Sequence, residues 1–152
     1  MESEGRVRIE IADWTRDARI LRLIREAVFV EEQNVPIELE WDGLDPHCTH
    51  VIAYGEGGKP VATGRLVADG HIGRLAVLKP WRGRGVGSHV LRALMAIARS
   101  KGLETCELNA QIHAIGFYER HGFVAEGDEF DDAGIAHRHM VLKNAHGQGN
   151  SA

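Results

Sequence analysis

At 152 residues, with 43% hydrophobic and 26% charged side chains, the chain has the make-up of one ordinary globular domain able to bury a core. A formal net charge of −4 argues against general affinity for nucleic acid or anionic membranes. No apolar run is long enough to cross a bilayer, the first five residues lack a signal peptide's basic and apolar regions, and the distant Cys48 and Cys106 read as reduced thiols; a cytoplasmic protein is expected.

Arg6 to Ile11 alternates polar and apolar residues, the pattern of a half-buried strand. Asp13 or Thr15 is placed to cap a helix that gathers Ile20, Leu23, Ile24, Ala27 and Val28 on one face and runs to about Val30. Residues 31–49 follow neither period and hold Pro36, Gly43 and Pro46. A connection that long is uncommon unless it serves a site, so it is expected to lie over a substrate cleft. Strands follow at about 50–55, 61–68 and 72–78, with turns at Gly55-Glu56-Gly57-Gly58 and Asp69-Gly70. Val86, Val90, Leu94, Ile97 and Ala98 mark one face of a helix that stops near Gly102. Glu104–Leu108 reads as a strand, Ile112–His121 as a helix ended by Gly122, and Phe123–Ala125 and Ile135–Leu142 as the last strands. Residues 1–143 are read as one domain and 144–152 as a disordered tail. The order β-α-loop-β-β-β-α-β-α-β-β predicts an α/β (α+β) chain, a mixed sheet with helices on both faces.

Between the 72–78 strand and its helix lies Arg82-Gly83-Arg84-Gly85-Val86-Gly87-Ser88. The first amides of a helix have no partner within it, and the helix dipole favours negative charge there. Gly85 and Gly87 let the main chain approach a ligand, and Arg82 and Arg84 add positive charge; a pyrophosphate fits. The alternative is a connector with no ligand. No Lys-Ser/Thr pair follows, as a Walker A loop requires, and the glycine spacing is not that of a dinucleotide fold. A strand Leu75-Ala76-Val77, then Pro80, then R-x-x-G-x-G opening a helix resembles the coenzyme A-binding motif of the GNAT superfamily of N-acetyltransferases.

A second stretch, Asn109 to Phe123, resembles the superfamily's N-x-x-A-x-x-F-Y-x-x-x-G-F at Ala114, Phe117, Tyr118, Gly122 and Phe123, with Gln111 in the Asn position. The segment from Ala27 to Asp45 resembles the V-F-V-x-E-Q stretch of the ElaA/YjcF-type branch, and Glu129 to Met140 its G-I-x-H-x-x-M strand. The resemblance implies the GNAT acyl-CoA N-acyltransferase fold, a central, mostly antiparallel sheet flanked by helices. It implies acetyl-CoA as co-substrate, a small-molecule amine as acceptor and direct attack; a homodimer is compatible with it. In that reading the main chain of Leu75, Ala76 and Val77 binds the pantetheine arm, and the Val77 N–H polarises the acetyl carbonyl. The turn from Arg82 through Gly83, Arg84, Gly85, Val86 and Gly87 to Ser88 holds the pyrophosphate, while Gln111 and Phe117 complete the cofactor contacts.

Tyr118 is the implied general acid, since a phenol with an ordinary pKa of about 10 suits a departing alkyl thiolate. Neighbouring helix positions point about 100° apart, so Phe117 and Tyr118 are not expected to face one core, and Phe117 is the core candidate. Glu31 and Glu32 end the first helix where the fold presents acids to the amine, with Glu32 as the base candidate; a solvated pair is the alternative. His50, His113, His137 and His139 also titrate near neutrality. Glu31, Trp41 and His137 are the acceptor-binding candidates. The acids of the 31–49 loop, Glu31, Glu32, Glu38, Glu40, Asp42 and Asp45, would attract a cationic acceptor, unless the loop is simply solvated. His47-Cys48-x-His50 is too tight for a structural zinc site, and no metal is expected. The rivals are transfer of another acyl group and a non-catalytic acyl-CoA-binding module.

Overall fold

The computed structural model describes residues 6–143; the expected tail at 144–152 and the first five residues lie outside them. Asp13 caps α1 (Trp14–Arg25): its Oδ1 accepts from the Arg16 amide at 3.1 Å, and Asp17 returns the bond by accepting from the Asp13 amide at 2.9 Å. The helix then widens to π geometry over Glu26–Glu32, with the Gln33 amide reaching back to Val28 O at 3.2 Å. Residues 31–49 hold a single turn of helix, α2 (Ile37–Glu40), and a 3-10 turn at Asp45–His47.

β1 (Arg8–Ala12), β2 (Thr49–Tyr54), β3 (Pro60–Leu66) and β4 (Ile72–Val77) form an antiparallel sheet in chain order. α3 (Val86–Ser100), β5 (Thr105–Gln111), α4 (Ile115–Glu119), β6 (Val124–Asp132) and β7 (Ile135–Lys143) follow, and the three strands make a second antiparallel sheet ordered β5-β7-β6. β6 is much longer than the three residues expected: most of it is exposed and a register shift interrupts it between Glu126 and Phe130, so no alternation marks it.

Strand alternation sorts the core onto two faces. Leu75 and Val77 pack with Val86, Val90 and Leu94 of α3, whereas Ala76 and Leu78 pack with Ile24 and Val28 on the α1 side. No helix among the described residues is long and apolar enough to cross a membrane.

The two sheets meet where β4 and β5 run parallel, through one bridge, His71 to Glu107, and a bond from the Glu107 amide to Gly70 O at 3.0 Å. Gly70 has a φ of 104°, and a Cβ there would lie 2.5 Å from Thr105 O, so only glycine lets the chains come this close. Beyond that point no further bridge joins the two strands among the described residues. They splay.

A buried ion network fastens the 33–48 segment to this frame. Arg25, 1% exposed, donates to Glu40 Oε2 at 2.6 Å and to Asp45 Oδ1 at 2.9 Å. Arg65 reaches Asp45 at 3.0 Å and Asp42 at 2.7 Å, and Arg74 reaches the Glu40 carbonyl at 2.9 Å. Burial would raise the Asp42 carboxyl, but hydrogen bonds from Arg65 and the Leu44 amide outweigh it and lower the group to about 2. Asp45 is also lowered, burial again being overcome by Arg25 and Arg65. Replacing Arg25 by Ala takes a buried guanidinium from Glu40 and Asp45 and should cost about 3–5 kcal/mol in urea unfolding. Because the folded pKa of Asp42 lies below its unfolded value of about 3.9, its contribution is present above that pH. Stability measured across an acid titration should therefore fall as the pH drops from about 4 towards 2, and the Asp42→Asn variant should lose less over that window.

Candidate active site

Because β4 and β5 diverge, they leave a cavity of about 780 Å³ between them. Its floor is β4 from Gly73 to Val77, and its far wall is Leu108, Asn109 and Gln111 of β5. The Leu78 amide donates to Val61 O at 2.9 Å, so by the two-residue alternation of the antiparallel ladder the Val77 N–H turns away from β3, into the gap. The Val77 carbonyl points the same way and accepts from Arg82 Nε at 2.9 Å. A bulge between Thr63 and Arg65 sets two β4 residues, Arg74 and Leu75, against Gly64, and Arg74 takes a left-handed φ of 50°.

At one end of the cavity, Gly85 caps α3 with a φ of 81° and no side-chain bond. The first intrahelical bond runs from the His89 amide to Gly85 O at 3.2 Å, which leaves the amides of Val86, Gly87 and Ser88 free for an anion. A Cβ on Gly87 would meet Phe117 at 3.5 Å and Val77 at 3.7 Å, so its absence widens the floor between them. Gly83, Gly85, Val86, Gly87, Ser88 and Arg82 all line the space, but Arg84 does not; its guanidinium lies over the Trp81 ring, 4.8 Å from the centroid. The Ser88 hydroxyl and His121 Nε2 share a hydrogen bond at 3.0 Å. Burial, then Arg92 and Arg120, lower the His121 pKa.

Phe117 and Tyr118 both line the cavity and both pack against the main core, edge to face at 5.0 Å. The expectation that only one of them meets the core is corrected: α4 is a short helix wedged between core and cavity, so side chains 100° apart both find protein. Burial pushes the Tyr118 phenol up to about 12, and no group among the described residues hydrogen-bonds it.

The acceptor-side candidates divide. His137 lines the cavity, its Nδ1 2.7 Å from Ile135 O and its ring stacked on Phe130. Glu31, Glu32 and Trp41 do not line it. Glu32 forms an ion pair with Arg82, while Trp41, 48% exposed, carries Arg22 over its ring at 5.2 Å on the outer side of α1. The acids of the loop are not a free negative surface either: Glu40, Asp42 and Asp45 are held by Arg25, Arg65 and Arg74. No cluster among the described residues is arranged to hold a metal; His50 stacks on Trp14 and contacts Asp45 O.

Among the lining residues that escaped the sequence reading, three are Gln33, Arg65 and Arg74. Gln33 exchanges hydrogen bonds with Gln111 across 78 positions, at 2.9 and 3.5 Å, a pairing nothing local announces. Arg65 and Arg74 were legible in principle, as cations inside otherwise apolar strands.

Residues 25–144 match the family described as Acetyltransferase (GNAT) domain. The chain belongs to the GNAT acetyltransferase family. It is 44% identical over 122 residues to the uncharacterized N-acetyltransferase YjcF of Bacillus subtilis, covering 78% of this chain and 86% of that protein. Escherichia coli ElaA superposes with a TM-score of 0.81 at 25% identity over 90% of this chain and 99% of its own. An acyl-CoA N-acyltransferase from Pseudomonas aeruginosa does so at 0.80 and 28%, over 90% and 99%. The chain lies in the ElaA/YjcF-type branch of the GNAT fold. In an ultraviolet titration its last phenolate should appear only as the pH approaches 12, and Tyr118→Phe should remove that late step.

Proposed function

We propose that the chain is a cytoplasmic N-acetyltransferase that moves the acetyl group of acetyl-CoA to the amine of a small molecule by direct attack. One observation carries the reading: the free edge of β4, the unpaired amides of α3 and the Tyr118 phenol line a single cavity. The residues fit the co-substrate. Free amides at Val86, Gly87 and Ser88, with Arg82 beside them, match a pyrophosphate, and the side chain missing at Gly87 leaves room for the pantetheine arm beside Phe117. Leu75 and Ala76 lie along the path of that arm, and Gln111 faces it from β5.

Acetyl-CoA supplies an acetyl thioester whose C–S bond breaks as the new C–N bond forms. The Val77 N–H, turned into the gap, would stabilise negative charge gathering on the acetyl oxygen. Tyr118, protonated throughout the neutral range, would give its proton to the leaving thiolate. The amine sheds its own proton to water or to Glu32, which must first be released by Arg82. That engagement of Glu32 is what favours the rival reading, a non-catalytic acyl-CoA-binding module. Turnover decides between them.

Acetyl-CoA should raise the melting temperature by ligand linkage, more than NAD or ATP does. Gly85→Val forces a β-branched residue into the left-handed region and should weaken acetyl-CoA binding at least about tenfold by calorimetry. Tyr118→Phe should lower kcat by roughly 100-fold or more while leaving acetyl-CoA affinity unchanged. A wild-type rate in that variant would reassign Tyr118 to packing.

A further inference from the structure

Beyond the splayed strands, the cavity's charge runs against a cationic acceptor. Its formally charged lining side chains are Glu40, Asp132, Arg65, Arg74, Arg82 and Arg120. Glu40 is 2% exposed and bound to Arg25 at 2.6 Å, so it offers little to a ligand, and Arg65 is spent on Asp42 and Asp45. Arg82 belongs to the Gly turn. Arg74 is different.

Its side chain is one-quarter exposed, and only Nη2 is well used, donating to the Glu40 carbonyl at 2.9 Å and reaching Asp42 at 3.3 Å. Nε lies 3.2 Å from Glu40 Oε2 without hydrogen-bonding geometry; it is buried and has no partner, and neither has Glu40 Oε1. Nη1 makes no hydrogen bond among the described residues and is not sealed from solvent. Burial, together with the neighbouring positive charges of Arg65 and Arg25, disfavours the charge on Arg74 more than Asp42 and Glu40 offset it. Nη1 is thus the unused donor of a cation that lines the cavity, and a carboxylate is the group that meets it with a charge-assisted hydrogen bond. The left-handed bulge places it there. Arg74 stands three residues before Val77 on the same strand, about 10 Å at ~3.3 Å per residue. An Arg side chain and a small amino acid together span that distance.

We infer that the acceptor is an amine that also carries a carboxylate, an amino acid-type substrate whose carboxylate is anchored by Arg74 Nη1. The inference rests on the acetyl-transfer reading and specifies its acceptor class. The Arg74 contact fixes the acceptor while the amine faces the thioester held near Val77; Arg74 takes no part in the bond changes.

The test uses the full chain with acetyl-CoA and two matched sets of acceptors, the common L-amino acids and their carboxamides, followed by thiol release. The acids should be acetylated, and each carboxamide should show a KM roughly 10- to 100-fold higher than its acid. Arg74→Gln should raise the KM for the acid by a similar factor and erase the preference, leaving the acetyl-CoA KM unchanged; Arg74→Lys should restore part of it. Melting temperatures identify a variant that has merely lost its fold, and Arg74→Met then serves as a second uncharged replacement. Carboxamides used as well as acids, a preference that survives the loss of Arg74, or acetyl-CoA binding with neither set consumed would each overturn the inference. Acetylation of carboxamides alone would sink the carboxylate anchor and leave the acetyltransferase reading standing. Failure to bind acetyl-CoA at all would remove both.

Discussion

A parallel pair of strands held by one bridge and then parted is the constraint on which the rest of this molecule depends. An unpaired main-chain group buried away from water costs as much as a lost hydrogen bond, so a fold leaves such groups only where something else will meet them. Here the gap opens immediately after the contact of Gly70 with Thr105, and the free edge of β4 faces it. The Val77 carbonyl is met by Arg82, which also holds Glu32, so the Gly turn, the strand end and the end of the first helix are tied by one side chain. Among the described residues the Val77 N–H has no such neighbour. In the function we propose, it is the group kept for the thioester.

The opposite wall needs a different kind of support. Residues 33–48 have little regular structure of their own, and three guanidinium groups against three carboxylates hold them to α1, β3 and β4. Buried ion pairs add little net stability over an apolar core, but breaking one leaves an unpaired buried charge. The network therefore sets position more than it adds stability. It fixes Glu40 against Arg25, which in turn limits how far Arg74 can be satisfied from within the protein. The shape of the acceptor end and the spare capacity of Arg74 have one origin.

The elements that obey a period or a cap were legible in the sequence. Asp13, the strand at β1 (though Ile11 of its apolar face is exposed), the α3 face from Val86 to Ala98, and the Gly turn all state their structure within a few residues. The ion network could not be read this way, because its partners lie 15 to 34 positions apart and acids in an aperiodic segment look solvated. The same holds for Gln33, which meets Gln111 only after the sheet has formed, and for the π turns that carry Val28 and Phe29 to the cavity while keeping a helical apolar pattern. Trp41 shows the converse error. A large aromatic in a loop suggested a cavity wall, yet Arg22 covers it on the outer face of α1.

In the function we propose, the parted edge of β4 and the start of α3 form one binding surface. Amide hydrogen exchange, resolved by residue with and without acetyl-CoA, examines that surface directly. Acetyl-CoA should slow exchange at Val77 and at Val86, Gly87 and Ser88 together, with the β1 and β2 amides unaffected. Unchanged exchange at Val77 and at the α3 amides under saturating acetyl-CoA, or protection appearing on the outer face of α1 instead, would contradict the proposal.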